Sequence, residues 1–147
     1  MPAGAFTGQG SVIERADLDT PTEFTKIAQV KTIGGPNSTS NMLDTTTLDS
    51  EAMEFVPGLK DNGEASLGLN FVPGDPGQQQ MLEDQDTQAM AIYRITFADK
   101  KPTGGTTATF QGYVTSFGPS IGVNALSTAD ATIKISGRVD WVYATFP

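Results

Sequence analysis

The stretch LDTTTLDSEAMEFVPGLKDNGEASLGLNF, Leu43 to Phe71, holds two opposite patterns. Its last eight residues put Ala65, Leu67, Leu69 and Phe71 on one face and Glu64, Ser66, Gly68 and Asn70 on the other. A period of two is that of a half-buried β-strand. The twenty-one residues before it are acidic, Thr-rich and rich in turn formers, too polar to be core. Residues 34–63 are therefore read as one long loop, with a short strand over Met53–Val56. Loops beyond ~12–15 residues in a compact domain usually carry function or are disordered.

Working outward, TKIAQVKTIGG reads as a strand from Lys26 to Ile33, ended by Gly34-Gly35-Pro36. Residues 1–24 are small, polar and without period, and read as an N-terminal arm that a partner orders. PGDPGQQQMLEDQDTQ is the helix signal: Asp75 suits the N-cap, Pro76 the first helical position, and Met81 and Leu82 a small apolar face. A helix over 76–86 is expected. AIYRITFAD points Tyr93, Ile95 and Phe97 one way, and KKPTGGT is a turn. TATFQGYVTSFG puts Phe110 and Val114 on one face, Tyr113 and Phe117 on the other. ATIKISGRVDWVYATF aligns Ile133, Ile135, Val139, Trp141 and Tyr143 against Lys134, Ser136, Arg138 and Asp140. The fold expected is mostly β: an antiparallel β-sandwich or barrel with one flanking α-helix, a single domain over residues 1–147.

Composition excludes several classes of function. The 147 residues include no cysteine and no histidine, so no disulfide, thiolate metal site or Ser-His or Cys-His nucleophile can be built. Net charge is −8 from 17 acidic and 9 basic residues, without the basic patch that phosphate neutralisation needs. Residues 1–74 carry ten acidic and four basic side chains, residues 75–147 seven and five, so acidity concentrates in the arm and loop half. No apolar run approaches the ~20 residues of a membrane helix, and the N-terminus lacks the pattern of a signal peptide. A soluble product made in a cytoplasm is expected, with no cofactor and no metal.

Few residues invite a chemical reading. GQGS at Gly8 lacks the third glycine of a dinucleotide fingerprint and follows no strand. KDNGE at Lys60–Glu64 is a turn without the alternating ligands of a calcium loop. Asn37-Ser38-Thr39 fits a glycosylation acceptor, but nothing directs the chain to a secretory pathway. Glu51 with Glu54, or Asp44 with Asp49, are carboxylate pairs of the kind that cleaves glycosidic bonds. They sit in a polar loop without the desolvated pocket that raises a catalytic acid's pKa. Trp141, Tyr113 and Phe117 are sugar-stacking types, but their places in alternating strands assign them to core or subunit interface. No catalytic residue is assigned.

TTLDSEAMEFVPGLKDNGEASLGLNF, PGQQQMLEDQ, YRITF and TFQGYVTSFGPS together resemble the major tail tube proteins of long, non-contractile bacteriophage tails, the lambda-like family. The resemblance runs from about Ala28 to Val139, and its most specific pieces are TTLDS, FVPGLKDNGE and GYVTSFGPS. It implies a β-sandwich or barrel with a flanking helix, shared with the type VI secretion tube protein. It also implies a structural subunit that assembles into stacked, usually hexameric rings forming a hollow tube. The partners implied are other copies of the chain, a tape-measure protein and tail-end proteins. DNA would pass an acidic lumen without specific binding, no membrane is involved, and the location is the virion tail, built in a host bacterial cytoplasm. Ending at Pro147, the chain is expected to lack the immunoglobulin-like domain of lambda's own protein.

On this reading the 34–63 loop joins subunits through Asp44, Thr45, Leu48, Asp49, Glu51, Glu54, Phe55, Val56, Pro57, Gly58 and Leu59. Pro57-Gly58 should turn the chain back toward the sheet. Asp49, Glu51 and Glu54 should meet Lys26, Lys31 or Arg138 of a neighbour, while Phe55, Val56 and Leu59 supply most of the affinity. The expected core or interface set is Leu67, Leu69, Phe71, Tyr93, Phe97, Tyr113, Phe117, Ile133, Ile135 and Trp141. The alternatives are a monomeric carbohydrate-binding β-sandwich and an acid–base glycosidase.

Overall fold

The computed structural model describes residues 7–99 and 105–144. The alternating segments become strands β1 (Val12–Asp17), β2 (Thr25–Lys26), β3 (Val30–Gly34), β4 (Thr39–Asp44), β5 (Phe55–Asp61), β6 (Glu64–Asn70), β7 (Met90–Thr96), β8 (Thr107–Ser120) and β9 (Thr128–Val142). The helix α1 covers Pro76–Thr87. Seven strands form one antiparallel sheet in the order β2-β1-β7-β8-β9-β6-β3, and β4 and β5 form a separate two-stranded sheet. Most of the KKPTGGT turn lies outside the described residues.

The order of the sheet dictates its shape. β2 and β3 are its opposite edges, yet only Ile27–Gln29 connect them. Three intervening residues reach at most about 14 Å, whereas seven flat strands would span roughly 29 Å at ~4.8 Å spacing. The sheet must therefore curl, giving a half-barrel whose concave side gathers Ile13, Leu69, Tyr93, Ile95, Phe110 and Ile133, each almost fully buried. Gln29 takes up the sharp link with a left-handed φ of 62°. The link thus breaks the expected Lys26–Ile33 strand in two.

The helix caps this link. Asp75 at the N-cap accepts from Gln78 N at 3.1 Å and from Ala28 N at 3.2 Å, so one carboxylate serves helix and link. Gln78 is fully buried, its amide donating to the carbonyls of Ala28 and Asn70 and accepting from Val72 N. Gly77 leaves no room: a Cβ there would lie 2.6 Å from the Lys26 carbonyl oxygen and 2.8 Å from the Ile27 Cα.

The residues expected to form an arm over 1–24 instead include β1, which pairs with β7 from Val12↔Thr96 to Asp17↔Ala91; residues 1–6 lie outside the described residues. Arg15 disguises this strand. It faces inward beside Tyr93 and grips Asp84 of α1 through two hydrogen bonds, Nη2 to Oδ1 being 2.6 Å, while the Tyr93 hydroxyl donates to Asp84 at 3.1 Å. Burial alone would favour the neutral arginine, but the hydrogen bond and charge of Asp84, then those of Asp17, hold Arg15 firmly protonated. Burial and the Asp84 charge push the Tyr93 hydroxyl upward, keeping it a neutral donor.

Candidate assembly interface

Residues 34–63 are not an irregular loop. They are a hairpin in which β4 and β5 pair in antiparallel register, Thr39↔Asp61 through Asp44↔Phe55, with an irregularity between Ser40 and Met42. The expected short strand over Met53–Val56 is replaced by β5, and Pro57-Gly58 does not turn the chain: Pro57 sits mid-strand opposite Met42. Thr45 N bonds the Glu54 carbonyl, so by antiparallel alternation Met42 and Pro57 form a non-hydrogen-bonded pair and the missing proline N–H leaves no ladder bond unmade. The reversal falls at Thr45–Glu54, a tip closed by its own hydrogen bonds. Thr45 N donates to the Glu54 carbonyl at 2.9 Å, Glu54 N to Thr46 Oγ1 at 2.8 Å, and Ser50 Oγ to Glu54 Oε2 at 2.8 Å.

The hairpin exposes an apolar surface. Met42, Leu43, Leu48, Met53, Phe55, Val56 and Leu59 are all exposed, Leu59 at 92%. Isolated two-stranded hairpins are marginal in water, and clustered exposed hydrophobics mark interaction sites. Asp44, Thr45, Asp49, Glu51, Glu54 and Pro57 are exposed on the same ribbon and Gly58 is half-buried. The Thr46 hydroxyl, then its backbone N–H, hold the Asp44 carboxyl below its ordinary range. Neither Asp44/Asp49 nor Glu51/Glu54 lies in a desolvating pocket, so the arrangement supplies no general acid.

A residue that sequence reasoning missed fixes the root of the ribbon. Asn62 is buried; its amide donates to the Gly137 carbonyl at 2.6 Å and accepts from Ser38 Oγ at 2.8 Å. Beside it Gly63, with φ 71°, passes so close to Asn37 that a Cβ would lie 2.3 Å from the Asn37 carbonyl oxygen. The Asp-Asn-Gly triplet signals this turn, but not that the asparagine reaches β9. The Gly63 N–H, then Lys134, lower the Asp61 carboxyl.

Among the expected core or interface residues, Leu67, Leu69, Tyr93, Ile133 and Ile135 are buried together, and Phe71, Phe97 and Phe117 pack partly buried against them. Phe117 joins that side because the β8–β9 register shifts between Val114 and Ser116, reversing the expected face, and its ring meets Phe71 edge-on at 6.2 Å. Tyr113 and Trp141 are exposed, at 37% and 42%, and so are not core. Trp141 stacks between Phe97 at 5.8 Å and Tyr143 at 6.4 Å.

Of the hairpin's proposed basic partners, Lys26 and Lys31 lie on the two edge strands that the Ile27–Gln29 link joins, and Arg138 stands on β9 and pairs with Asp140 at 3.2 Å. Among the described residues two inner strands of the large sheet run past a neighbour and stay open there. β7 stops opposite Tyr113, leaving β8 unpaired on that side from Val114, and β6 stops opposite Lys134, leaving β9 without a strand there from Arg138 to Val142.

Residues 6–142 match the family described as "Lambda phage tail tube protein, TTP". "Structural protein 3" of Pseudomonas phage PAJU2 is 23% identical over 126 residues, 74% of this chain and 77% of that protein. The fold is similar to that in the tail of an empty gene transfer agent particle, refined with C6 symmetry, with a TM-score of 0.75, 16% identity and coverage of 94% of this chain and 99% of that one. It is also similar to the SPP1 tail tube subunit, with a TM-score of 0.73, 13% identity and coverage of 97% and 81%. A type six secretion system protein shares the architecture more loosely, with a TM-score of 0.52, 10% identity and coverage of 89% and 81%. A match over nearly the whole chain, on a half-barrel with a projecting hairpin, makes this protein a member of the lambda phage tail tube protein family: a non-enzymatic structural subunit of the virion's tail.

Proposed function

We propose that the chain assembles into stacked six-membered rings whose lumen conducts DNA, with the β4–β5 hairpin as the principal joint between subunits. The observation that carries this reading is a hairpin that pairs with no other strand among the described residues while exposing Met42, Leu43, Leu48, Met53, Phe55, Val56 and Leu59. Such a ribbon gains its stability from a neighbour. The open edges of β8 and β9 suit the same assembly, since pairing between neighbours would remove them. The six-fold symmetry of the similar gene transfer agent tail supports the ring number.

Six copies at −8 each bring a formal −48 to one ring. Net charge of this sign repels phosphate, so DNA slides rather than binds. A tape-measure protein and tail-end proteins would be the tube's further partners. Electron microscopy of the purified chain tests the reading: rings or tubes with six-fold averages are expected. A protein that stays monomeric at every concentration and ionic strength would overturn it.

A further inference from the structure

The root of the hairpin and the strand β9 enclose a cleft of about 460 Å³. Its walls include Lys60 and Asn62 from the root and Ile135, Arg138, Val139 and Trp141 from β9. Along this wall β9 has no strand partner beyond Lys134 on the β6 side among the described residues. The cleft thus combines an apolar floor, an exposed aromatic and two cations. Lys60 makes no ion pair among the described residues, and Arg138 holds only an exposed contact to its own neighbour Asp140. Asp61, the other acidic group here, is engaged by Lys134 at 3.4 Å.

The far end of the same hairpin has the opposite character. From Thr39 to Leu59 the ribbon carries four acidic residues and no basic one. Leu48 and Met53 stand exposed between those carboxylates. We propose that the cleft between the hairpin root and β9 is the seat for the acidic tip of a second copy's hairpin. Glu51 and Glu54 would approach Arg138 and Lys60, and Leu48 or Met53 would cover Trp141 and Val139. The proposal rests on the hairpin being the joint of the tube, and names its acceptor. Donor and acceptor are different surfaces of one chain, so each contact leaves a free tip and a free cleft, as a propagating heterologous contact requires. A rival acceptor is the cleft of about 320 Å³ lined by Val30, Lys31, Ile33 and Ile95, which offers one cation.

The absence of native cysteine makes the test direct. Tubes of a Glu51→Cys/Arg138→Cys chain are oxidised and run on a non-reducing gel, beside a Glu51→Cys/Lys31→Cys control. The two ends of one chain cannot bridge each other: the seven residues of β5 separate them by roughly 20 Å at ~3.3 Å each, against a ~7 Å limit between Cα atoms. A ladder of covalent trimers and larger species from the Arg138 pair, and none from the Lys31 pair, is expected. Tubes that form normally but ladder only through Lys31, or through neither pair, overturn the acceptor while leaving the tube intact. Cysteine-free chains that never assemble would overturn the joint itself. As a second measure, Arg138→Glu should raise the concentration needed for assembly at least tenfold, and adding Glu51→Lys should restore most of it; a double variant no better than the single counts against the contact.

Discussion

The helix-covered side of the half-barrel and the β4–β5 hairpin use polar groups in opposite ways. Under α1, Arg15 and Tyr93 are buried and both donate to Asp84, and buried Gln78 is bonded to the backbone of Ala28, Asn70 and Val72. On the hairpin the polar groups close the tip and the root, and the large apolar side chains between them face out. One region uses its side chains within the monomer, and the other leaves exposed the side chains that the proposed assembly would cover. A change in the first should unfold the chain; one in the second should leave it folded and unassembled.

The sharpest way to break this contrast is Asp84→Ala. Removing it leaves the buried Arg15 guanidinium with only the exposed Asp17, at 2.8 Å, as its ionic partner, and breaking a buried pair typically costs about 3–5 kcal/mol. Urea unfolding should show that loss, and an unchanged midpoint would mean that Asp17 alone compensates the charge. Next is Gly77→Ala, where the new methyl meets the backbone of Lys26 and Ile27. Overpacking of this kind costs about 1–3 kcal/mol, again read from the urea midpoint.

The hairpin should behave otherwise. Thr39 and Asp61 are directly paired, and paired Cα atoms lie about 5 Å apart. Replacing Ser40–Lys60 with a short Gly-Ser link should therefore shift the monomer's midpoint by under about 1 kcal/mol, because the ribbon adds nothing to the core. Sedimentation should show no tubes. A deletion that unfolds the chain would mean the ribbon stabilises the half-barrel.

The smallest effect is at the tip. The lowered Asp44 carboxyl adds stability above its unfolded value of about 3.9, and that contribution disappears as pH falls through the lower folded value. Thr46→Val should move the Asp44 midpoint upward in a carboxyl-carbon NMR titration, with no change in fold. An unmoved midpoint would show that the backbone N–H alone holds the carboxylate.

The sequence made the half-barrel legible where burial follows a plain alternation. Leu67, Leu69, Tyr93, Ile133 and Ile135 all lie where period two puts them, and Asp75-Pro76 starts the helix. It misled where a tertiary partner overrides local character. Arg15 reads as a solvent residue because its carboxylate lies 69 positions away on a helix. Phe117 changes face at a bulge defined by the opposite strand. The hairpin was legible as a polar excursion from the sheet but not as strands, since exposed residues obey no burial period and Pro57-Gly58 imitates a turn. Asn62 was invisible because its partner, Gly137, is 75 residues on.

The position of β9 has a consequence for synthesis. It comes after every other described strand in the chain, yet it lies in the interior of the sheet, and only its pairing connects β6 and β3 to the ladder of the other strands. Hairpins close in ~1–10 μs, while chains emerge at ~5–20 residues per second, so β4–β5 forms on the ribosome long before β9 exists. The half-barrel stays open at that seam until its last-made strand inserts between β8 and β6. A growing chain therefore presents the residues of its hairpin before its sheet is complete. The order of the strands acts as a timer.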